Sequence, residues 1–411
     1  MRELLNDHLL EVAAAKVGPA IAGIGFVAVA ARYCEATDYG IFSLAFAMAN
    51  LMSVVSVVWI SQAVLRFAGS GDGAQSLRSV MTVAAVCATV FSAIGLGLAH
   101  IGVWPVAQPA SGVPWDVPVL AVALALNATV AAYATALQQF RAYRITEVSR
   151  GALLLLLVAA VAFWQAGARG LVLAYAVATL VPSLLLLRHL DAMRAVARAA
   201  PLGAVLRKFL QYGWPMTIWA GLQAAQSLIE RNVLGAALPP TDFGRFMAAT
   251  DVIVRGIGLA LMPVVTFVHA RLMATAGHGT VLNAAGRNLL VSGLQLIAVG
   301  GVVLTALVLL SRGLLAQVAP GIARIDSATL LMLCAGAVLW ALALIVHKPL
   351  ELARQTKRMG VLLAIAVGIQ WALLTHWVGT WHEMAMPMAS CAAALLYMAG
   401  CIIAARGRFA R

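Results

Sequence analysis

Twelve apolar runs of about 20 residues, none with period-2 alternation, occupy most of this 411-residue chain. A run of that length crosses the hydrocarbon core of a bilayer as a helix. In lipid, backbone N–H and C=O groups are satisfied only inside helices or closed barrels, and strands would show alternation that is missing here. Hydrophobic residues make up 63% of the chain and charged residues 10%, against about a quarter charged in a soluble domain. The expected fold is therefore an all-α polytopic membrane protein. Its twelve transmembrane helices are expected at roughly 9–31, 39–65, 79–101, 117–140, 149–166, 171–187, 209–237, 243–270, 288–311, 328–346, 359–378 and 384–405. The seventh and eighth carry the most charge.

A net charge of +13 invites a nucleic-acid reading. The distribution of the charge excludes it, because Lys and Arg fall in short loops and form no basic module. Alternate loops and the helix ends beside them hold 20 of the 28 Lys and Arg, counting Arg141, Arg144 and Arg150, while the opposite set holds only Arg32, Arg169, Arg312 and Arg324. The positive-inside rule then places both termini in the cytoplasm and requires an even number of spans. The five cysteines have no metal or disulfide pattern, and no metal site or cofactor is expected. Arg2 is followed by Glu3, Asp7 and Glu11, a poor start for a signal peptide, so the first run is expected to remain as a span.

One hexapeptide occurs twice. Thr37-Asp38-Tyr39-Gly40-Ile41-Phe42 returns as Thr241-Asp242-Phe243-Gly244-Arg245-Phe246, 204 positions later. Each copy opens a long apolar stretch that closes on an arginine, Arg66 or Arg271. The repeat divides the chain into an N-terminal six-helix lobe (1–188), a basic cytoplasmic linker (189–208) and a C-terminal six-helix lobe (209–411). Six is even, so the lobes share one orientation, expected as a parallel pair around a central cavity. The motif itself reads as structural. Thr or Asp would cap the helix, Tyr39 and Phe243 would join an interfacial aromatic belt, and the glycines would permit close packing.

These features carry a resemblance. The acidic-aromatic-Gly-x-aromatic entry to the second helix, Leu65-Arg66-Phe67 at its end, Gly213-Trp214-Pro215 and Glu230-Arg231 look like the polysaccharide-transporter family. That family belongs to the multidrug/oligosaccharidyl-lipid/polysaccharide exporter superfamily. The chain departs from its relatives in having Glu230 where they often have Asp. It also lacks the two extra helices of the peptidoglycan-precursor flippases. The resemblance implies a non-enzymatic flippase in the bacterial inner membrane, moving an undecaprenyl-pyrophosphate-linked oligosaccharide for O-antigen or exopolysaccharide synthesis. Implied partners are this lipid-linked oligosaccharide, membrane lipids, H+ or Na+ as coupling ion, and polymerase and chain-length proteins of the same pathway. Nucleic acid is not among them.

Ionised groups inside spans cost at least about 2.5–3.5 kcal/mol each, so they normally face a partner or a wet cavity. Seven occur: Glu11, Lys16, Glu230, Arg231, Arg245, Asp251 and Arg255. Arg231, Arg255 and Lys16 are the candidate substrate-binding residues, because Arg presents a fork of donors to phosphate oxygens and Lys a mobile charge. Asp251, Glu230 and Glu11 are the candidate ion-coupling carboxylates. Asp251 and Arg255, four apart, share a helix face and can pair. Arg245 and Glu11 also fit a simpler reading as side chains snorkelling to the interface.

Among weaker features, His347-Lys348-Pro349-Leu350-Glu351 reads as a solvated helix end or a gate. Pro19, Pro215 and Pro263 mark bends within spans. Two other functions compete with flipping. A multidrug exporter of the same superfamily would carry cations, which this Arg-rich complement repels. A polytopic polysaccharide polymerase or glycosyltransferase would need catalytic carboxylates, yet the chain has no Asp-x-Asp and only one carboxylate in its longest outer loop.

Overall fold

The computed structural model describes residues 2–67, 77–100, 116–192, 202–275, 284–353 and 355–409, with side chains in the first helix described from Val17 onward. The elements are α1 (Arg2–Tyr33), α2 (Ala36–Phe67), α3 (Leu77–His100), α4 (Asp116–Ala136), α5 (Phe140–Trp164), α6 (Gly167–Ala192) and α7 (Leu202–Ala237). There follow α8 (Pro240–Thr275), α9 (Ala284–Leu310), α10 (Arg312–Val318), α11 (Ser327–Val346), α12 (Lys348–Leu352), α13 (Thr356–Trp381) and α14 (Ala385–Phe409). Short 3-10 turns lie at Pro320–Ala323 and His382–Met384. Without α10 and α12, the twelve long helices among the described residues match the twelve expected runs one for one.

Nine segments among the described residues are long and apolar enough to cross a membrane, and one of them, 356–406, contains both α13 and α14. α7 is a 36-residue helix diluted by Arg207, Lys208, Glu230 and Arg231. The expected prolines lie inside α1, α7 and α8, and Pro182 lies inside α6.

The repeat keeps its backbone register at the first turn. α1 ends at Tyr33 and α2 begins at Ala36; α7 ends at Ala237 and α8 begins at Pro240, 204 positions on in both cases. The turn hydrogen bonds repeat too. Cys34 N–H donates to Ala30 and Tyr39 N–H to Glu35, as Leu238 N–H donates to Leu234 and Phe243 N–H to Pro239. The Thr-Asp pair therefore lies within the first helical turn and not ahead of it, where Asp38 and Asp242 favour the positive helix end.

Two expectations are corrected here. Tyr39 and Phe243 are 0% and 5% exposed, so they pack in the interior and not in an interfacial belt. Tyr39 and Phe42 join Phe26, Phe46 and Tyr175 in an aromatic cluster with ring centroids 4.9–6.1 Å apart. The fifth helix starts at Phe140, nine residues before the expected 149, and takes in Arg141, Arg144, Glu147 and Arg150.

The chain forms two compact units, Met1–Asn232 and Val233–Arg411. In the first, α2 packs on α3, α4 and α6, α4 packs on α3 and α6, and α5 packs on α1 and α6. Small residues bring α1 and α5 together: a Cβ on Gly151 would stand 2.9 Å from that of Ala22. α5 turns into α6 through Gln165 at φ 51 and Gly167 at φ 65, the second of which sits over Asp38. In the second unit α8 packs on α9 and α11, α11 on α9 and α14, and α13 on α14. Second-on-third, second-on-fourth, third-on-fourth, fourth-on-sixth and fifth-on-sixth packing thus occurs twice.

The division falls within α7, whose place in the repeat is that of α1. Up to Asn232 it belongs to the first unit, where it lies along α2. Gly213 abuts the Trp59 backbone and Gly221 the Val55 side chain. Phe209 and Tyr212 pack on the Phe67 ring at 6.3 and 5.3 Å, with the Lys208 ammonium 4.2 Å from its centroid.

α11 is capped by Asp326. The Thr329 N–H donates to Oδ1 at 2.8 Å and the Thr329 hydroxyl to Oδ2 at 2.6 Å. The hydroxyl bond first, then the backbone bond, holds this carboxyl below its ordinary value. Asp326→Ala should cost about 1 kcal/mol, read as a lower Tm in detergent at pH 7. The contribution is complete above the ordinary carboxylate pKa, about 3.9, and is lost as pH falls through the lowered folded-state value. The two Tm curves should therefore converge in acid.

Candidate functional site

α7 and α8 hold five of the seven ionised groups that the sequence places inside spans. In the first unit, Arg231 sits near the end of α7. Its Nε donates to the Ser43 hydroxyl of α2 at 2.8 Å, and Nη1 donates to the Ser227 carbonyl and hydroxyl one turn back. Ser43 is 1% exposed, so the guanidinium draws α7 onto α2 at a buried point. Glu230 and Asn232 beside it are buried. Glu11 and Lys16 lie in α1 where side chains are outside the described residues.

In the second unit, Asp251 is buried and Arg255, one turn further along α8, is half-buried. Arg245, at the start of α8, lies 3.6 Å from Asp242 Oδ1. Its backbone is covered by the Pro320–Ala323 turn, where Gly321 fits against the Arg245 carbonyl. Arg245 is thus a partly exposed ion-pair partner at a helix entry, in keeping with the simpler of its two readings. Asp251 and Arg255 lie in one unit and Glu230 and Arg231 in the other.

Two further clusters lie outside these seven groups. The first joins α8 to the α11–α12 elbow in the second unit. Glu351 Oε2 accepts from Lys348 Nζ at 2.6 Å, with His347 Nε2 at 3.7 Å and His269 Nδ1 at 4.0 Å. His347 is 2% and Lys348 9% exposed. The reading of this stretch as a solvated helix end is therefore wrong: His347 and Lys348 are buried where α11 passes into α12, and the Tyr397 ring of α14 stands steeply inclined to that of His347. The local motif was legible, whereas the partner on α8, His269, lies 78 positions away and gives no signal in sequence.

The second is the pair Glu147–Arg150 in α5. Arg150 Nε and Nη2 both donate to Glu147 Oε2, at 3.2 and 2.6 Å. Sequence reasoning puts both in a loop, because their charge lowers local hydropathy. The Glu-x-x-Arg spacing, which puts the two on one helix face, is the signal that locates them once α5 is drawn from Phe140. Among the described residues no group of His, Cys, Asp and Glu is arranged to hold a metal ion.

The chain matches no family model and no curated protein sequence. Its fold does match solved structures over nearly its whole length. A structure described as "Lipid II flippase MurJ, inward closed conformation" aligns with TM-score 0.74 at 12% identity, over 95% of this chain and 86% of that one. An inward-facing multidrug resistance MATE family transporter of the MOP superfamily aligns with TM-score 0.69 at 14% identity, over 98% and 94%. The MATE multidrug transporter DinF-BH aligns with TM-score 0.67 at 13% identity, over 100% and 97%. The chain therefore has the all-helical fold of these membrane transporters.

Proposed function

We propose that this chain is a flippase that carries an undecaprenyl-pyrophosphate-linked oligosaccharide across the bacterial inner membrane by alternating access, with both termini cytoplasmic. The observation that carries this reading is the set of ionised side chains inside the helices of a fold shared with a lipid II flippase. Arg231 and Arg255 each offer a guanidinium within their own unit, and Lys16 offers an ammonium on α1. The pyrophosphate is the part of the substrate that hydrocarbon rejects, and a guanidinium fork matches its oxygens. The polyprenyl tail stays in lipid. Coupling to H+ or Na+ falls to Asp251, Glu230 or Glu11. O-antigen or exopolysaccharide synthesis is the setting, with polymerase and chain-length proteins as pathway partners.

The test is flipping of a fluorescent polyprenyl-pyrophosphate-linked oligosaccharide in proteoliposomes. Arg255→Ala and Arg231→Ala should each slow flipping about tenfold or more, the worth of one charge-assisted hydrogen bond, with insertion unchanged. Full activity in both variants would sink the assignment. A second reading, multidrug export, is favoured by the fuller coverage of the MATE chains, 94% and 97% against 86% for MurJ. Resistance of a sensitive strain to cationic drugs, without oligosaccharide flipping, would reverse the order of the two.

A further inference from the structure

Arg150 lies 10 residues into α5, about 15 Å along its axis from Phe140. The ten residues before it hold Arg141, Arg144 and Glu147, and the fourteen after it carry no charge. Its side chain is 17% exposed and that of Glu147 is 6% exposed. Both of its bonds to Glu147 end on one oxygen, through Nε and Nη2. The third nitrogen, Nη1, carries two donors that no described residue accepts, and it is not sealed from solvent.

Tyr175 of α6 stands within electrostatic reach of Arg150. Its ring is fixed by Phe26 at 5.5 Å, Phe46 at 4.9 Å and Phe42 at 6.1 Å. Its hydroxyl likewise makes no hydrogen bond to a described residue. Unmade hydrogen bonds on largely buried side chains are costly. Here a donor edge and a hydroxyl are both held rigidly with that capacity unspent.

We propose that Arg150, oriented by Glu147, is a binding site in the first unit for the phosphate oxygens of the translocated lipid. This rests on the reading of the substrate as a lipid-linked pyrophosphate. Arg150 is the binding group and Glu147 the positioning residue. The carboxylate fixes the plane of the guanidinium and offsets the cost of keeping it ionised in the lobe. Because the pair is close to neutral, it contributes directional donors without the deep electrostatic well that would hold an anion and prevent its release. A cationic ligand would meet the guanidinium edge and be repelled.

The competing account is that Glu147–Arg150 is a structural ion pair. The two accounts separate because a buried pair can be replaced by apolar residues of similar volume at little cost in stability. The full chain in nanodiscs would be titrated with farnesyl pyrophosphate, in zwitterionic lipid and again with added phosphatidylglycerol. Wild type should bind, Arg150→Met should weaken binding about ten- to hundredfold, and Arg150→Lys should recover part of it. Glu147→Gln should weaken it less than Arg150→Met. The double variant Glu147→Leu/Arg150→Met should fold and insert but bind as poorly as Arg150→Met. A double variant that folds and binds like wild type overturns the inference and leaves a structural pair. Displacement of farnesyl pyrophosphate by phosphatidylglycerol overturns it in favour of a phospholipid headgroup site. Wild type that binds while every variant is unchanged overturns this inference alone; wild type that binds no polyprenyl pyrophosphate overturns the proposed function with it.

Discussion

Gly213→Ala should destabilise the protein, although alanine is the better helix former by about 1 kcal/mol. A Cβ at this position would stand 2.5 Å from Trp59 Cα and 2.7 Å from its carbonyl carbon, with the carbonyl oxygen nearer still. Those atoms are helix backbone and cannot swing aside as a flexible side chain would. Trp59 is further held by its indole N–H, which donates to the Ser56 carbonyl at 2.8 Å. Forcing a methyl group into a close-packed contact costs about 1–3 kcal/mol. Here the strain falls on the seat of α7 against α2, which also carries the Phe67 stack and the Arg231–Ser43 bond. Gly368→Ala in α13 is the control, because its Cβ would meet no atom within 4 Å. Thermal unfolding in detergent should place Gly213→Ala below wild type and Gly368→Ala level with it or above. Equal Tm values for the two variants would mean that α7 does not depend on this contact.

The same helix shows where sequence reasoning reaches and where it stops. The number of long helices was legible because each must fill the hydrocarbon thickness with apolar residues. The repeat was legible because Thr37–Phe42 and Thr241–Phe246 kept their spacing, and the backbone turns before them agree to the residue. Side-chain environment was not legible. Tyr39 and Phe243 suit a membrane interface by type, yet each lies on the inner face of its helix. Gly213 read only as part of a motif, and its reason is a partner more than 150 positions away. The start of α5 was missed because hydropathy treats Glu147 and Arg150 as two separate penalties, while the fold pairs them and removes most of the cost. Arg231 stood out as a charge in a span, but its hydroxyl partner on α2 is one serine among many.

Lys348→Met should be among the most damaging single substitutions in the second unit. Its ammonium is 2.6 Å from Glu351 Oε2, with side chains 11% and 18% exposed. Removing one member of a buried pair leaves the other charged and poorly solvated, a loss of about 3–5 kcal/mol. Lys348→Met/Glu351→Leu removes both charges and should recover most of that loss, so the two changes should be strongly non-additive in a double-mutant cycle. The neighbouring imidazoles sharpen the expectation. His347 Nε2 and His269 Nδ1 lie 3.7 and 4.0 Å from the same oxygen. In Lys348→Met either can supply the missing positive charge once protonated. Burial holds both imidazoles below their ordinary value of about 6.5, so acidification below that value should raise the Tm of Lys348→Met toward wild type and leave the double variant unmoved. A Tm of Lys348→Met that falls in parallel with wild type across that range would show that the imidazoles do not answer to Glu351. The α8–α12 junction would then depend on the lysine alone, and His269 would tie α8 to the elbow by packing and not by charge.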